Sequence, residues 1–257
     1  MREKYSGMCK VSIITVAYNA VQTIEDSIVS VLGQDYENIE YIIVDGASTD
    51  GTLDIIDRYK DQVATVISEA DRGIYDAMNK GVSLATGDVV GLLNADDFYI
   101  HDKVISRIVQ EFETTNAGAV FADLVYVDAE RLDKVVRTYR SKHFKPEKFA
   151  YGWMPAHPTF FLKKEFYERF GGYKTDYKIA ADYELLIRML YVNQIGYSYI
   201  PEVLIRMRLG GVSTSSIRSN IILNHEILRA CRENGINTNL FKIYSKYPKK
   251  LLELIRR

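Results

Sequence analysis

The chain has 257 residues, 47% of them hydrophobic and 26% charged, and its 33 basic side chains nearly balance 34 acidic ones. This is ordinary globular composition, enough for one large domain or two closely packed halves, and it excludes a disordered chain or a small disulfide scaffold. Residues 206–257 carry 11 basic and 3 acidic side chains, so the body before them is acidic and lacks the electrostatic footprint of a nucleic-acid binder.

The first hundred residues alternate apolar runs with helical patterns. VSIITV (11–16), IEYIIV (39–44), VATVI (63–67) and DVVGLL (88–93) read as buried strands. Between them, Ile24, Ile28, Val31 and Leu32 recur at helical spacing, and 52–59 and 75–84 also suit helices. That order predicts an α/β fold with a mostly parallel central sheet flanked by helices, whose ligands bind beyond the carboxyl ends of the strands. After Phe98 the pattern changes. A helix over 102–112 precedes strands at 119–127, 134–139 and 159–162, a helix at 182–190, strands at 197–200 and 203–207, and helical patterns to the end.

The strand ends carry acids and amides rather than a phosphate loop. Ala17-Tyr18-Asn19 follows the first strand without a glycine, and the glycine spacing of 46–52 lacks the Lys-Ser/Thr pair of a P-loop. Asn19, Asp45, Glu69, Asp71, Asn94, Asp96 and Asp97 end four successive strands. Single acids there serve equally as turn or helix-cap residues. Adjacent Asp96 and Asp97 facing a diphosphate would each add about 4 kcal/mol of repulsion per charge pair at an effective dielectric near 20, which a divalent cation reverses. Oxygen ligands select Mg²⁺ or Mn²⁺, the phosphates completing the shell.

VSIITVAYN, IVDGASTDGT, SEADRGIYDAMNKG, GDVVGLLNADD and GGYKTDYKIAADYELLIRM, in this order, resemble the family 2 glycosyltransferases of GT-A fold over residues 10–215. The resemblance implies a GT-A domain over 1–215, with its nucleotide half at about 10–100 and its acceptor half at about 101–215, then a helical C-terminal extension over 216–257. It implies inverting transfer of a sugar from a nucleoside diphosphate sugar, most commonly a uridine one, to a saccharide or polyprenyl-linked saccharide acceptor. Ala17, Tyr18 and Asn19 would border the base, Asp45 would hydrogen-bond it and Asp71 would lie beside it. Asn79 and Asn94 would lie along the donor, Asp96 would face the ribose or the diphosphate, and Asp97 would bind the metal. Asp182 would be the general base, although Ala181 stands where the family has a glutamate.

Arg72, Arg206 and Arg208 are further candidates for the diphosphate, since guanidinium forks suit phosphate oxygens. Trp153 and His157 lie on the acceptor side, His157 as a partner of acceptor or metal, with loop packing an equal alternative. A sugar nucleotidyltransferase and a catalytically silent nucleotide-sugar-binding protein are the competing readings. The first would favour a glycine-rich basic loop that the chain lacks.

Cys9 and Cys231 form no metal or disulfide pattern, and neither an export signal nor about 18 consecutive apolar residues occurs, so a cytoplasmic protein is expected. Tyr244, Tyr247, Leu251 and Ile255 share a helical face among Lys242, Lys246, Lys249, Lys250, Arg256 and Arg257. That pattern fits peripheral contact with the inner face of the membrane, or packing on the chain's own domain or a second subunit of a homodimer.

Overall fold

Runs of β-branched residues form the central strands, and the helices between them bury one apolar stripe each. The computed structural model describes residues 8–210 and 217–247. In its first half β1 (Val11–Ala17), β2 (Ile39–Asp45), β3 (Thr65–Ser68) and β4 (Val89–Leu92) alternate with α1 (Ile24–Leu32), α2 (Thr52–Asp57) and α3 (Ile74–Leu84), in the order the periodicity predicts. The second half continues with β5 (Asp97–Tyr99), α4 (Val104–Thr115), β6 (Ala119–Val127), β7 (Val135–Tyr139), β8 (Phe161–Lys163), α5 (Lys164–Phe170), α6 (Ala181–Leu186) and β9 (Tyr197–Arg208). Two helices follow, α7 (Ile217–Glu233) and α8 (Leu240–Tyr244).

The strands make one sheet in the order β3-β2-β1-β4-β8-β6-β9-β5, with β7 on β6. Pairs β1–β2, β1–β4, β2–β3 and β6–β9 are parallel, while β5, β7 and β8 run against their neighbours, so most strands point one way. Both faces are covered. Ile14, Ile42 and Val44 pack with α3, α6 and α7, whereas Ile13, Ile43, Ile28 and Ile105 fill the opposite layer with α1 and α4. Gly81 allows α3 to lie flat on β1, because a Cβ there would come within 2.3 Å of Ile14 Cγ2.

Three local features depart from the sequence expectations. The short strand β5 was not foreseen, because Asp97-Phe98-Tyr99 pairs through the backbone with 205–207 rather than through an apolar run. Segments 197–200 and 203–207 form one strand, whose pairing jumps from Phe121↔Tyr199 to Asp123↔Val203 around Pro201, which has no N–H for a ladder bond. Thr159 ends a 3₁₀ turn (His157–Thr159), so β8 begins only at Phe161.

Helices α7 and α8 pack against the body of the fold. Ile227, Ala230, Cys231, Ile236 and Ile243 are buried in the same core as α6. The Asn224 amide donates to the Tyr247 hydroxyl at 2.8 Å, while Phe241 is 90% exposed. Of the predicted apolar stripe, Leu251 and Ile255 lie outside the described residues. Among the described residues no helix is long and apolar enough to cross a membrane.

Glu40, near the start of β2, ties three chain segments together. Its carboxylate accepts from Lys10 Nζ at 2.7 Å, Ser12 Oγ at 2.6 Å, and the Thr86 N–H and hydroxyl at 2.6 and 2.5 Å. Burial opposes the charge, but these bonds overcome it and hold the carboxyl down to about 2 from an ordinary 4.5. Because the folded value lies below the unfolded one, the contribution is complete above about pH 4.5 and is lost as pH falls toward 2. By linkage it amounts to about 3 kcal/mol. Urea denaturation of Glu40→Gln is therefore expected to show a loss of that order at pH 7 that shrinks toward pH 3; an equal loss at both pH values would refute the assignment.

Candidate active site

The carboxyl ends of β1 and β2 are stitched together by backbone and short polar side chains. Ala17 accepts from the Gly46 N–H at 2.8 Å. Asn19, held at a positive φ of 48°, accepts from the Thr49 N–H at 2.9 Å and donates its own N–H to Ser48 Oγ at 2.8 Å. Asp45 is fully buried and accepts from the Ser48 N–H, the Ser48 hydroxyl and the Ser68 hydroxyl, which uses three of its roughly four acceptor directions. A Cβ on Gly46 would meet Asp71 Oδ2 at 2.6 Å and the Tyr18 ring at 3.3 Å, so its absence lets both approach the loop. Tyr18 is 68% exposed. The result is an open aromatic face beside a half-buried carboxylate.

The acidic pair after β4 sits deeper. Arg208, almost wholly buried, donates to the Asp96 carbonyl at 3.0 Å, pairs with Asp26 and lies over the Phe98 ring. Ser27 donates to the Asp97 carbonyl at 2.6 Å. Asp97 is fully buried; its Oδ2 meets the Asn94 amide only at 3.5 Å and its Oδ1 has no partner. Burial first, and the Asp96 charge second, push the Asp97 carboxyl well above its ordinary range. A cation would relieve both penalties, so the residues present fit a divalent metal. No cluster of three His, Cys, Asp or Glu capable of holding a metal exists among the described residues.

Asp182 opens α6. Its Oδ1 accepts from the Tyr183 N–H at 2.7 Å and its Oδ2 lies 3.3 Å from His157 Nδ1, with the carboxylate 15% exposed. Burial raises the Asp182 carboxyl above the usual value, and His157 partly counters this. The charge of His157 also reaches Asp96, whose carboxyl is likewise raised by burial. His157 thus lies against the carboxylate of Asp182. Trp153 is half-buried in the loop before it, its backbone N–H donating to the Lys148 carbonyl at 3.2 Å.

Other expected donor residues are placed differently. Asn79 spends both ends of its amide on Tyr173, donating to its carbonyl and accepting from its N–H at 2.8 Å each, so it clasps α3 to the acceptor half instead of facing a donor. Arg208 is likewise committed, to Asp26 and the Asp96 backbone, and acts as a pin rather than a free phosphate fork. Arg72 is 81% exposed and folds back on Asp76 at 2.9 Å. Arg206 is half-buried and its Nε has no partner.

The sequence reading missed the framework around these groups. Arg188, one turn after Glu184, donates to the Phe170, Gly171 and Gly172 carbonyls and pairs with the fully buried Glu184 at 2.9 Å. It thereby fixes the turn that Asn79 clasps. The i,i+4 spacing of Glu184 and Arg188 was the one visible signal, and it reads equally as a solvated helix pair.

Residues 12–171 match the family model described as Glycosyl transferase family 2. An "uncharacterized glycosyltransferase" of Mycobacterium tuberculosis is 30% identical over 184 residues, 71% of this chain and 69% of that protein. The "putative teichuronic acid biosynthesis glycosyltransferase TuaG" of Bacillus subtilis is 36% identical over 51% of this chain and 54% of its own length. A "PGL/p-HBAD biosynthesis glycosyltransferase" of Mycobacterium bovis is 27% identical over 85% and 82%. Among solved structures, S. aureus TarS 1-349 in complex with UDP-GlcNAc superposes with a TM-score of 0.70 at 18% identity, covering 89% of this chain and 68% of that one. The longer TarS structure is spanned over only 40% of its length. The mannosyltransferase PcManGT of Pyrobaculum calidifontis, in complex with GDP-Man and Mn²⁺, gives 0.63 at 21% identity, covering 89% of this chain and 64% of that one. These likenesses bear out the GT-A type of fold, and with the family match they establish that the chain belongs to glycosyltransferase family 2.

Proposed function

We propose that the protein is an inverting, metal-dependent glycosyltransferase that moves a sugar from a nucleoside diphosphate sugar to a hydroxyl of a saccharide or polyprenyl-linked saccharide, in the synthesis of a surface polysaccharide or glycolipid. The observation that carries this reading is the fully buried carboxylate of Asp97 after β4, its Oδ1 without a partner, in a chain whose α6 opens with Asp182 held 3.3 Å from His157. In this reading the acidic strand end and the carboxylate on α6 border one donor and acceptor space. A uridine donor is favoured by the TarS likeness, while the PcManGT likeness keeps a guanosine donor as the alternative.

In this reading Tyr18 and Asp71 flank the base, and Asp45 shapes the loop beneath it. Asp97, with Asn94 beside it, would hold Mg²⁺ or Mn²⁺, which when bound supplies positive charge for the leaving diphosphate. Arg206, on β9 opposite Phe98 and with an unpartnered Nε, is assigned to the leaving diphosphate. Asp182 takes the proton of the acceptor hydroxyl as that oxygen forms its bond to the anomeric carbon and the bond to the diphosphate oxygen breaks on the opposite face. The electron pair leaves with the diphosphate. A base with a raised carboxyl pKa is better matched to a hydroxyl proton near neutral pH. A polyprenyl-linked acceptor would place the enzyme at the inner face of the cytoplasmic membrane.

Thermal-shift measurements with UDP, GDP, UDP-GlcNAc and GDP-mannose, with and without Mn²⁺, test the donor assignment. Stabilisation by one nucleotide series, enhanced by Mn²⁺, is expected; at one hundred times Kd it corresponds to about 2.7 kcal/mol. No shift with any of them would remove the nucleotide-sugar reading.

A further inference from the structure

Residues 174–180 join the Gly171-Gly172 turn to α6, and much of what fixes them comes from α7. Lys174 Nζ and the Tyr177 hydroxyl both donate to Glu233 Oε2 at 3.0 Å. Arg229 pairs with Asp176 and covers the Tyr177 ring at 4.3 Å. Nearest to Asp182, the Glu226 carboxylate accepts from three consecutive backbone N–H groups, Lys178 at 2.7 Å and Ile179 and Ala180 at 2.9 Å each. N–H groups at the start of a helix have no partner within it, and a carboxylate accepting several of them makes strong, directional bonds. Ala181, next in sequence, has no polar side chain to do this. The anchor therefore comes from 46 residues further along the chain.

We propose that Glu226 is a positioning residue for Asp182: by holding the N–H groups of 178–180 it sets the start of α6 and so keeps Asp182 against His157, making α7 part of the catalytic unit. The inference deepens the reading above and rests on Asp182 being the base. Glu226 itself touches no reacting atom. It acts through the turn it holds.

The test compares the full-length wild type with Glu226→Ala and Glu226→Gln. Three readouts are taken: backbone hydrogen exchange over 176–183, the ¹⁵N signals of the His157 imidazole, and turnover of UDP-GlcNAc or GDP-mannose with Mn²⁺. In Glu226→Ala, exchange at 178–180 is expected to speed up at least tenfold while β1 and β2 stay protected. The His157 signals should move toward those of Asp182→Asn, and kcat should fall at least tenfold at unchanged donor KM. Glu226→Gln, which keeps an acceptor oxygen, should recover part of each change. Unchanged exchange or unchanged His157 signals in Glu226→Ala overturn the proposal, as does a change in both without loss of kcat. An Asp182→Asn variant that keeps its turnover would instead sink the base assignment, and exchange and His157 signals would still decide the clamp if neither donor is turned over.

Discussion

Asp182→Asn is expected to lower kcat by about a thousandfold, within the 10²–10⁴ range that general-base catalysis supplies, while nucleotide affinity changes little. The asymmetry follows from position. Asp182 lies on α6 beside His157, whereas the residues assigned to the base and diphosphate lie at the ends of β1, β2 and β4. The amide is nearly isosteric and can still accept from the Tyr183 N–H, so the fold should survive. The pH dependence carries the same signature. The Asp182 carboxyl is raised, so it protonates, and activity falls, at a pH above the ordinary aspartate range. Burial sets this rise; His157 and the Tyr183 N–H favour the charged form, and Glu226 opposes it. Replacing His157 by Gln removes a favourable charge and should move the acid limb of kcat upward in pH. Retention of more than a tenth of wild-type kcat in Asp182→Asn, or an acid limb that moves downward in His157→Gln, would remove Asp182 as the base.

Much of this site was legible because it is local in the chain. Asp45, Asp71 and Asp96-Asp97 each follow an apolar run, and parallel strands bring their carboxyl ends to one edge whatever the loops do. The fold of the first hundred residues was readable for the same reason, since strands buried on both faces appear as unbroken runs such as VSIITV. The partners across the chain were not. Nothing in the sequence indicates that Asn79 would be consumed by the Tyr173 backbone, or that Arg208 would be pinned between Asp26 and Asp96, because each bond spans between about ninety and two hundred residues. A guanidinium near an acidic loop reads as a phosphate ligand until its partners are seen. Glu226 was invisible in the same way, as one acid among basic residues in a segment set apart as an extension, and only tertiary packing brings it to the turn before α6.

Asp97→Asn is expected to abolish the extra stabilisation that Mn²⁺ gives in the presence of nucleotide and to cut turnover at least a hundredfold, without lowering the melting temperature of the ligand-free protein. The geometry leads to this combination. A carboxylate with no exposed surface, an unpartnered Oδ1 and a like charge next to it is unfavourable on its own. It is nevertheless held by the backbone pairing of Asp97 with Met207, by Ser27 on its carbonyl and by Arg208 on the neighbouring carbonyl. Such a group is retained at a cost to stability when a cation is to be bound there, and removing its charge relieves the cost together with the function. Asp96→Asn is the informative control. Asp96 is half-buried and fixed through its backbone, so this variant should keep Mn²⁺-dependent stabilisation in reduced form. If Asp97→Asn retained full Mn²⁺ dependence while Asp96→Asn lost it, the metal would belong to Asp96, and the buried carboxyl of Asp97 would be a structural proton carrier beneath it.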